Sequence, residues 1–322
     1  MIKAGIIGGA GYTAGELLRL LINHPETEVV FVHSSSNAGK KIWEVHEGLL
    51  GETDLSFSDT FSLEDIDCLF LCSSHGASKI FWENNSRPSH LKVIDLAQDF
   101  RDESFGYIYG LPEVNSKRIK TAVSIANPGC FATAIQLSLL PLASAGLLPH
   151  KGDINITALT GSTGAGVKPG ATTHFSWRNN NISVYKPFTH QHLKEIKMTL
   201  EKLQPGFSSR LNFIPMRGDF ARGIFSTIIL DCTLSQDEVY KLYKDYYDDV
   251  PFVVISDISP DLKQVVNTNK AIINVLVNEG KLLVTCVIDN LLKGASGQAV
   301  ENMNLMFGID QTTGLKLKPS AF

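Results

Sequence analysis

The sequence predicts an α/β protein with a doubly wound parallel Rossmann sheet, followed by a second α+β domain with a mixed or antiparallel sheet. In the first third of the chain, short apolar runs alternate with helical stretches, which is typical of right-handed βαβ units. After residue 130, longer β-branched stretches follow one another with few helices between them. A glycine-rich turn between the first strand and the first helix supports the same assignment for the first part.

The individual elements follow from local patterns. A strand is predicted at Ile2–Ile7, and a helix over 14–23 presents three leucines on one face and stops before Pro25. A second, mostly apolar helix is predicted over 131–145, and a third over 296–306. The other predicted strands are 28–32, 68–71, 93–96, 153–159, 223–230, 271–277 and 281–288.

The chain length of 322 residues corresponds to about two domains. The change of pattern places the boundary near residue 129. We expect residues 1–129 to form a dinucleotide-binding domain that is joined by the C-terminal segment 294–322. Residues 130–293 would form the second domain.

Composition excludes several classes of protein. The 29 Lys and Arg against 33 Asp and Glu give a net charge of −4, which argues against a nucleic-acid partner. No apolar stretch approaches the ~20 residues of a membrane span. The N-terminus begins a strand at once and lacks the features of a signal peptide. We therefore expect a cytoplasmic protein.

The turn at residues 8–15 has the sequence GGAGYTAG. Gly8 permits a tight turn, Gly11 allows the backbone to approach a pyrophosphate at the helix N-terminus, and the small Ala14 allows close helix–strand packing. Tyr12 and Thr13 complete the predicted dinucleotide site. The alternative is a tight βα turn that binds no ligand.

The loop after the second strand predicts which dinucleotide binds. NAD-binding folds place an Asp or Glu there to contact the ribose hydroxyls. Here the loop instead offers Ser34, Ser35, Ser36 and Lys40, which suit a 2′-phosphate. We expect NADP(H), and the alternative is a solvated polar loop.

Cys130 differs in its setting from the other four cysteines, which lie in or beside apolar strand-like runs and are expected to be buried and inert. It follows Asn127-Pro128-Gly129 and opens the helix predicted from residue 131. A thiol at a helix N-terminus is stabilised as thiolate by the macrodipole and the free amides. Such a thiolate attacks carbonyl carbons, and the same amides hold the oxyanion that results.

Six ordered motifs are distributed almost from end to end of the chain. They are GGAGYTAGEL (8–17), DLAQDFR (95–101), YGLPE (109–113), ANPGC (126–130), HQHLKEI (190–196) and DNLLKGASGQAVENMN (289–304). With this set the sequence resembles the N-acetyl-γ-glutamyl-phosphate reductase family of arginine biosynthesis, in the aspartate-semialdehyde dehydrogenase group. The resemblance implies a glyceraldehyde-phosphate-dehydrogenase-like fold and a homodimer or homotetramer.

The resemblance also implies a reaction. Cys130 would attack the acyl phosphate and expel phosphate, and a hydride from NADPH would reduce the thioester to a thiohemiacetal that releases the semialdehyde. An imidazole suits the proton transfers near neutral pH. We favour His192, oriented by Glu195, although spacing alone does not rank it above His190. No further ligand set accompanies this His pair, so we expect no metal.

Other site residues are implied by the same resemblance. His75, Asn290, Lys293 and Gly294 would lie near the cofactor. Residues that would contact the substrate or its phosphate are Arg101, Asn127, Ser162, Lys186, Arg217 and Arg222. For Arg101, a bidentate grip on phosphate competes with a simple ion pair to Asp99.

Three departures from the family pattern leave the acyl group open. Met216, Asp219 and Val167 replace the usual His, Pro and Arg in segments expected to touch the substrate. One hypothesis is that Arg217 meets an additional carboxylate, as in an N-succinyl substrate, and the alternative is lineage drift. An alternative hypothesis from a different functional class is a non-catalytic NADP-binding regulatory protein, in which Cys130 would be unreactive.

Overall fold

The computed structural model describes residues 1–320 as two compact units. The first contains Met1–Pro128 and Ala295–Lys316, and the second contains Gly129–Gly294 with the stretch that starts at Leu317. The predicted return of 294–322 to the first domain therefore differs at Leu317–Ser320, which group with the second unit. Residues 321–322 of that prediction lie outside the described residues.

The first unit is built on a fully parallel seven-stranded sheet, as predicted. Its elements are β1 (Ile2–Ile7), α1 (Tyr12–Leu21), β2 (Thr27–His33), β3 (Phe57–Ser58), β4 (Cys68–Leu71), α2 (Ala77–Asn84), β5 (Lys92–Asp95), β6 (Ile108–Tyr109), α3 (Pro112–Ile119) and β7 (Ser124–Ala126). The strand order is β3-β2-β1-β4-β5-β7-β6. The chain adds β2 and β3 on one side of β1 and then crosses to add β4 and the later strands on the other side. This change in the order of the strands makes the sheet doubly wound.

The central strands consist of continuous apolar residues because both of their faces are buried. Every residue of β4 is buried, because helices cover both faces of a parallel sheet. Helix α1 starts at Tyr12, two residues before the predicted start, since Gly11 adopts the extended conformation of an N-cap. Its Leu17, Leu18 and Leu21 are fully buried.

The second unit contains a seven-stranded mixed sheet. Its elements are α4 (Cys130–Ser144), β8 (Asp153–Thr160), α5 (Phe175–Arg178), β9 (Ser183–Val184), α6 (His192–Leu203), β10 (Arg210–Arg217), β11 (Ile224–Asp231), α7 (Gln236–Tyr247), β12 (Val253–Ile255), β13 (Ala271–Asn278) and β14 (Lys281–Ile288). The order is β12-β13-β14-β11-β8-β10-β9. The pairs β12–β13 and β8–β10 are parallel, and the other four neighbouring pairs are antiparallel.

Strand β10 was not predicted because it contains Pro215, which has no N–H for a sheet ladder. The structure tolerates this proline because its neighbour β9 pairs only with Met216 and Arg217. Cys72 and Cys232 were expected to be buried strand residues. They instead lie one residue beyond β4 and β11, respectively, and are partly exposed.

The two faces of the second sheet differ. Helices α4 and α7 pack on one face. Along β11 and β13 the side chains alternate, so that Ile228 and Val275 are buried whereas Ile229 and Leu276 are 45% and 52% exposed. Val254 on β12 is also exposed. One face of the sheet therefore presents apolar side chains on the surface of the unit.

Helix α4 is buried on all sides and carries Pro141 in its interior. Proline has no N–H, so the carbonyl of Leu137, four residues earlier, loses its helical partner. The hydroxyl of Tyr247 donates to that carbonyl, and the hydroxyl of Tyr243 donates to the carbonyl of Ser138. Helix α7 thus satisfies polar groups that the proline leaves open.

The chain leaves the second unit through a π-helical turn, Leu292–Ser296, which precedes α8 (Gly297–Met306) in the first unit. The amide of Asn302 donates to the carbonyl of Gly110, and Asn304 contacts the buried His24. Within residues 1–320 no helix is long and apolar enough to cross a membrane.

Candidate active site

The glycine-rich turn of the first unit is built around backbone that admits no side chains. Gly8 has a φ of +80°, and a Cβ there would lie 2.8 Å from the Ser73 nitrogen. At Gly11 the nearest atom to a Cβ would be 3.9 Å away, so the turn is open on that side. Ala14 is fully buried against the sheet. The turn therefore has the shape that a pyrophosphate requires at the start of α1.

His46 supports this turn and was missed by sequence reasoning. Its Nε2 lies 2.7 Å from the carbonyl oxygen of Gly9. Its ring also packs so closely on Gly15 that a Cβ would meet Nδ1 at 2.6 Å. No motif connects residue 46 to the turn, because α1, β2 and a loop lie between them in the sequence.

The loop after β2 gathers the predicted polar residues. The amide of Asn37 donates to the hydroxyls of Ser34 and Ser36, and Lys40 Nζ donates to Asn37 Oδ1 at 3.3 Å. Ser35 is exposed beside them. Residues 34–40 of the loop include no carboxylate, and Lys40 gives them their one formal charge, which is positive.

The region near His75 is organised by Asp99. The Asp99 carboxylate accepts hydrogen bonds from the amides of Gly76 and Ser78 and so caps α2, and the amide of Gln98 donates to His75 Nδ1. Arg101 is nearly buried and donates to the carbonyls of Asn127 and Leu96. The structure thus places Arg101 against the backbone that precedes the nucleophile segment.

Asn127 was predicted to contact the substrate, but its side chain is used inside the first unit. Its Nδ2 donates to the carbonyl of Ala295, and its Oδ1 accepts from Asn302 Nδ2 at 3.1 Å. The residue is 1% exposed. Its amide holds the chain in place just before Gly129.

In the second unit, Cys130 is the first residue of α4 and is partly exposed. Gly129 is the N-cap, and its carbonyl accepts hydrogen bonds from both the amide and the hydroxyl of Thr133. Gly294 approaches so closely that a Cβ there would lie 2.8 Å from Cys130 Cβ. The thiol is thereby fixed at the positive end of a fifteen-residue helix.

The first turn of α6 places His192 and Glu195 on the same side, three residues apart. The His192 ring packs on Gly129, where a Cβ would lie only 2.2 Å from Nε2. Glu195 Oε2 accepts the amide hydrogen of Gly129 at 3.1 Å, and Oε1 lies 3.9 Å from His192 Nε2. The nucleophile segment, His192 and Glu195 therefore form one constellation.

His190 lies beside His192, with ring centroids 4.5 Å apart, and both rings are buried. Its ring makes edge contacts with Phe131, Phe213 and Tyr185, and its Nδ1 accepts the amide hydrogen of His192. Burial, assisted by the nearby charge of Lys186, lowers the pKa of His190 to about 4. His190 is consequently neutral near pH 7 and helps to start α6.

Tyr185 and Arg217 stand beside the same constellation. Burial and the neighbouring Cys130 thiol raise the pKa of Tyr185 above its ordinary value. Arg217 stacks over the Tyr185 ring at 4.5 Å and is hydrogen-bonded to its hydroxyl. Lys186 has a φ of +46° and its Nζ donates to Gln191. Sequence reasoning proposed Arg217 and Lys186 but missed Tyr185, which carries no motif of its own.

Arg178 is a second residue that the sequence did not reveal. It is 5% exposed, and its guanidinium donates to the carbonyls of Arg217 and Asn181 and to the hydroxyl of Ser183. These bonds tie β9 to the end of β10. Arg178 therefore fixes the backbone on which Arg217 is carried.

The remaining predicted residues belong to a bonded group around Asp289. Arg222 Nε donates to the buried Asp289 carboxylate at 3.0 Å. Asn290 links the Gly223 amide to the Thr163 hydroxyl, next to Ser162. Lys293 is fully buried and its Nζ lies over the Phe252 ring. The structure therefore places the Lys293 ammonium in the interior of the unit and away from its surface.

Two further properties bear on the chemistry. All five cysteines are free thiols. Among the described residues, no group of three or more His, Cys, Asp and Glu side chains is positioned to hold a metal ion.

Comparison with known proteins identifies the relatives of this chain. Residues 3–122 match the family model of the semialdehyde dehydrogenase NAD-binding domain, and residues 130–290 match that of the semialdehyde dehydrogenase dimerisation domain. Two curated proteins named N-acetyl-gamma-glutamyl-phosphate reductase, from Parabacteroides distasonis and Bacteroides thetaiotaomicron, are each 60% identical over the full length of both chains.

Solved structures show the same fold at low identity. Aspartate semialdehyde dehydrogenase II of Vibrio cholerae has a TM-score of 0.76 at 17% identity, covering 96% of this chain and 99% of its own. Aspartate semialdehyde dehydrogenase of Candida albicans, solved with NADP, has a TM-score of 0.73 at 15% identity, covering 96% and 100%. With these domain matches and full-length relatives, the chain belongs to the N-acetyl-γ-glutamyl-phosphate reductase family.

Proposed function

We propose that the protein catalyses the NADPH-dependent conversion of N-acetyl-γ-glutamyl phosphate into N-acetylglutamate 5-semialdehyde and phosphate, a step of arginine biosynthesis. The observation that carries the proposal is the constellation of Cys130, His192 and Glu195 around Gly129. The names of the full-length relatives supply the substrate. Free thiols suit a reducing compartment, so we place the reaction in the cytoplasm.

The first unit would hold NADP(H). The turn around Gly8, Gly11 and Ala14, with Tyr12 and Thr13 in the first turn of α1, would receive the pyrophosphate. Lys40 with the serines of its loop would hold the 2′-phosphate. When bound, the dinucleotide supplies the hydride. His75 remains a further candidate for contact with it.

Cys130 would act as the nucleophile. The N-terminal dipole and free amides of α4 favour its thiolate, which attacks the γ-acyl carbon and forms a thioester as the C–O bond to phosphate breaks. The same amides stabilise negative charge on the acyl oxygen. After hydride addition at the acyl carbon, the C–S bond breaks and returns the thiolate as the aldehyde leaves.

His192 would move the protons. Its Nε2 faces Gly129, beside the thiol, and is within reach of the charge of Glu195. It would take the thiol proton before attack. It would donate that proton to the thiohemiacetal oxygen and take it back as the C–S bond breaks and the aldehyde forms. Glu195 is a positioning residue, because one oxygen holds the Gly129 amide while the other faces the imidazole. His190, which stays neutral, orients the first turn of α6.

Arg217 and Lys186 would meet the negative charges of the substrate in the second unit, with Arg222 and Ser162 on the loops near Asp289. Arg217 and Cys130 both interact with Tyr185. The Arg217 charge would therefore lie near the reacting thiol. An N-succinyl substrate, with one more carboxylate than the N-acetyl form, is the alternative acyl donor. A non-catalytic regulatory role would leave the His192–Glu195 constellation without a purpose.

The decisive experiment measures phosphate-dependent reduction of NADP in the reverse direction with N-acetyl- and N-succinylglutamate semialdehyde. We expect turnover with phosphate and at least about a 10³-fold loss in Cys130→Ser. Cys232→Ser, which changes a partly exposed thiol outside the constellation, should keep full activity. Absence of turnover with both aldehydes would refute the reductase and favour the regulatory role.

The same assay separates the two acyl groups. If Arg217 meets an additional carboxylate, Arg217→Ala should lower kcat/KM for the N-succinyl aldehyde by at least about 10-fold more than for the N-acetyl aldehyde. Equal losses on both aldehydes would remove this role from Arg217 and leave it with the charges that both substrates share.

The two histidines should differ in their pH profiles. The pKa of His190 is about 4, so its protonation lies below the range where an acid limb of kcat/KM near neutral pH would appear. We expect His192→Asn to lose about 10²–10⁴-fold in kcat and to lack that limb. His190→Asn should retain it. The opposite pattern would exchange the two roles.

A methyl group at Gly129 should disrupt the constellation without affecting the first unit. In Gly129→Ala the new Cβ would lie 2.2 Å from His192 Nε2, so the ring has to move. We expect kcat to fall by about 10²-fold while the Kd of NADPH stays unchanged. Gly48→Ala, where a Cβ would meet no atom within 4 Å, is the control. Wild-type kcat in Gly129→Ala would contradict the proposed geometry.

Lys40 should govern the choice of dinucleotide. Lys40→Gln removes the positive charge of the loop after β2, so we expect KM for NADPH to rise about 10-fold with little change for NADH. Lys41→Gln is the matched control, since the Lys41 ammonium donates to the Asp54 carbonyl. A similar increase for both dinucleotides would argue against a 2′-phosphate contact.

The exposed apolar face of the second sheet would be the interface of a homodimer or homotetramer. Ile229, Val254 and Leu276 lie on it, and covering them with a second copy would remove apolar surface from water. Light scattering should show an oligomer for the natural chain and a smaller species for Leu276→Glu. A monomeric natural chain would refute the interface.

A further inference from the structure

A surface cavity of about 470 Å³ lies in the first unit, between α2 and the loop 100–107. Its lining is rich in aromatic rings and includes Trp82, Phe100, Phe105 and Tyr107. The volume falls within the range of small-molecule sites and is too small for a helix or a strand pair. None of its lining residues belongs to the cofactor turn, the loop after β2 or the Cys130 constellation.

The rings of the cavity are fixed by contacts among themselves. Phe100 and Tyr107 stack with centroids 4.2 Å apart and an angle of 12° between their planes. The indole nitrogen of Trp82 donates to the Tyr107 hydroxyl at 3.0 Å. This bond satisfies the polar atoms of both rings inside an apolar wall. Phe100 and Tyr107 are 3% and 4% exposed and cover each other, so they form a rigid base. The partly exposed Trp82 and the exposed Phe105 supply the aromatic surface that is open to the cavity, and such surface favours a planar ring as ligand.

Phe105 lines the cavity with a phenyl ring that is 81% exposed. Its φ of +55° is in the left-handed region, which bulky side chains rarely adopt, and Glu103 has a φ of +62°. Glu103 Oε1 holds the loop by accepting from the Tyr109 amide and from Arg118. Backbone strain that keeps an aromatic ring in solvent at a cavity wall is typical of ligand clamps.

The charges of the cavity favour an acidic ligand. Lys79 Nζ lies 6.0 Å from the centroid of Phe100, and Arg87 also lines the cavity. The Arg87 guanidinium is immobilised by bonds to the carbonyls of Leu91 and Val123. Glu83 supplies a single carboxylate against these two cations. Lys79 is exposed and is thus the cation that can reach a ligand.

We propose that this cavity is a binding site for a planar aromatic ring that carries an acidic group. The ring would lie against Trp82, over the buried pair of Phe100 and Tyr107, with Phe105 closing over its edge, and the acidic group would face Lys79. The site is separate from the proposed reaction, so it stands whether or not that reaction is confirmed.

Isothermal titration calorimetry with 2-naphthoate tests the proposal. The protein is first saturated with NADP and phosphate, so that the probe does not report on the dinucleotide site. We expect saturable binding with a Kd of about 1 mM or tighter, as a probe of this size allows. 2-Naphthamide, without the charge, and cyclohexanecarboxylate, without the aromatic ring, should each bind at least about 5-fold more weakly.

Three variants locate the binding. Phe105→Gly removes the ring and suits a positive φ, so it should fold with an unchanged or higher Tm while weakening 2-naphthoate binding at least about 5-fold. Lys79→Gln should weaken the binding of 2-naphthoate, which carries the carboxylate, but not the binding of 2-naphthamide. Ile80→Ala, which changes an exposed apolar residue of α2 outside the cavity, should bind like the natural chain.

Three results would overturn the proposal. One is the absence of saturable heat with 2-naphthoate. Another is equal affinity in the natural chain and in Phe105→Gly, which would mark the binding as non-specific. The third is a lower oligomer mass by light scattering in Phe105→Gly, since the cavity would then be covered by a second copy of the chain.

Discussion

The close approach of the His192 ring to Gly129 is the contact on which the catalytic constellation depends. Only a glycine allows it, because a Cβ would lie 2.2 Å from the imidazole. Glu195 secures the same point from the other side by accepting the Gly129 amide hydrogen. The N-cap of α4 and the first turn of α6 are thereby joined within one residue of Cys130. Small movements of either helix would separate the Cys130 thiol from His192, the proton carrier that we propose for it.

Rigidity of α4 is the second requirement. A nucleophile at a helix N-terminus gains from the dipole only while the helix is fixed, and α4 contains a proline that removes one of its own hydrogen bonds. Tyr247 supplies a partner for the Leu137 carbonyl, which Pro141 leaves without its helical donor, and Tyr243 makes a further bond to the next carbonyl. Helix α7 therefore helps to hold α4, which begins at Cys130, in place. Because these buried carbonyls of α4 keep hydrogen-bond partners, the helix remains in place although its own hydrogen bonding is interrupted at Pro141.

The buried Asp289 has a similar supporting role. It accepts hydrogen bonds from Arg222 and from the amides of Asn267, Leu291 and Leu292, just before the π-helical turn. That turn brings Gly294 against Cys130. Residues that the family motif suggests as ligand contacts thus also build the backbone around the nucleophile. The fold tolerates a large change of sequence elsewhere, as the match to structures at 15–17% identity shows.

Local periodicity and turn chemistry predicted the parallel first sheet, a mixed or antiparallel second sheet, the glycine turn and the isolated setting of Cys130. They did not reveal β10, whose proline is tolerated only beside a short edge strand. They could not rank His190 and His192, because a spacing of two residues does not say what each ring contacts. Folding buries both rings and sets His190 against Phe213 and His192 against Gly129. It also brings in His46, Arg178 and Tyr185, because their contacts join segments distant in sequence or depend on packing that no short motif encodes.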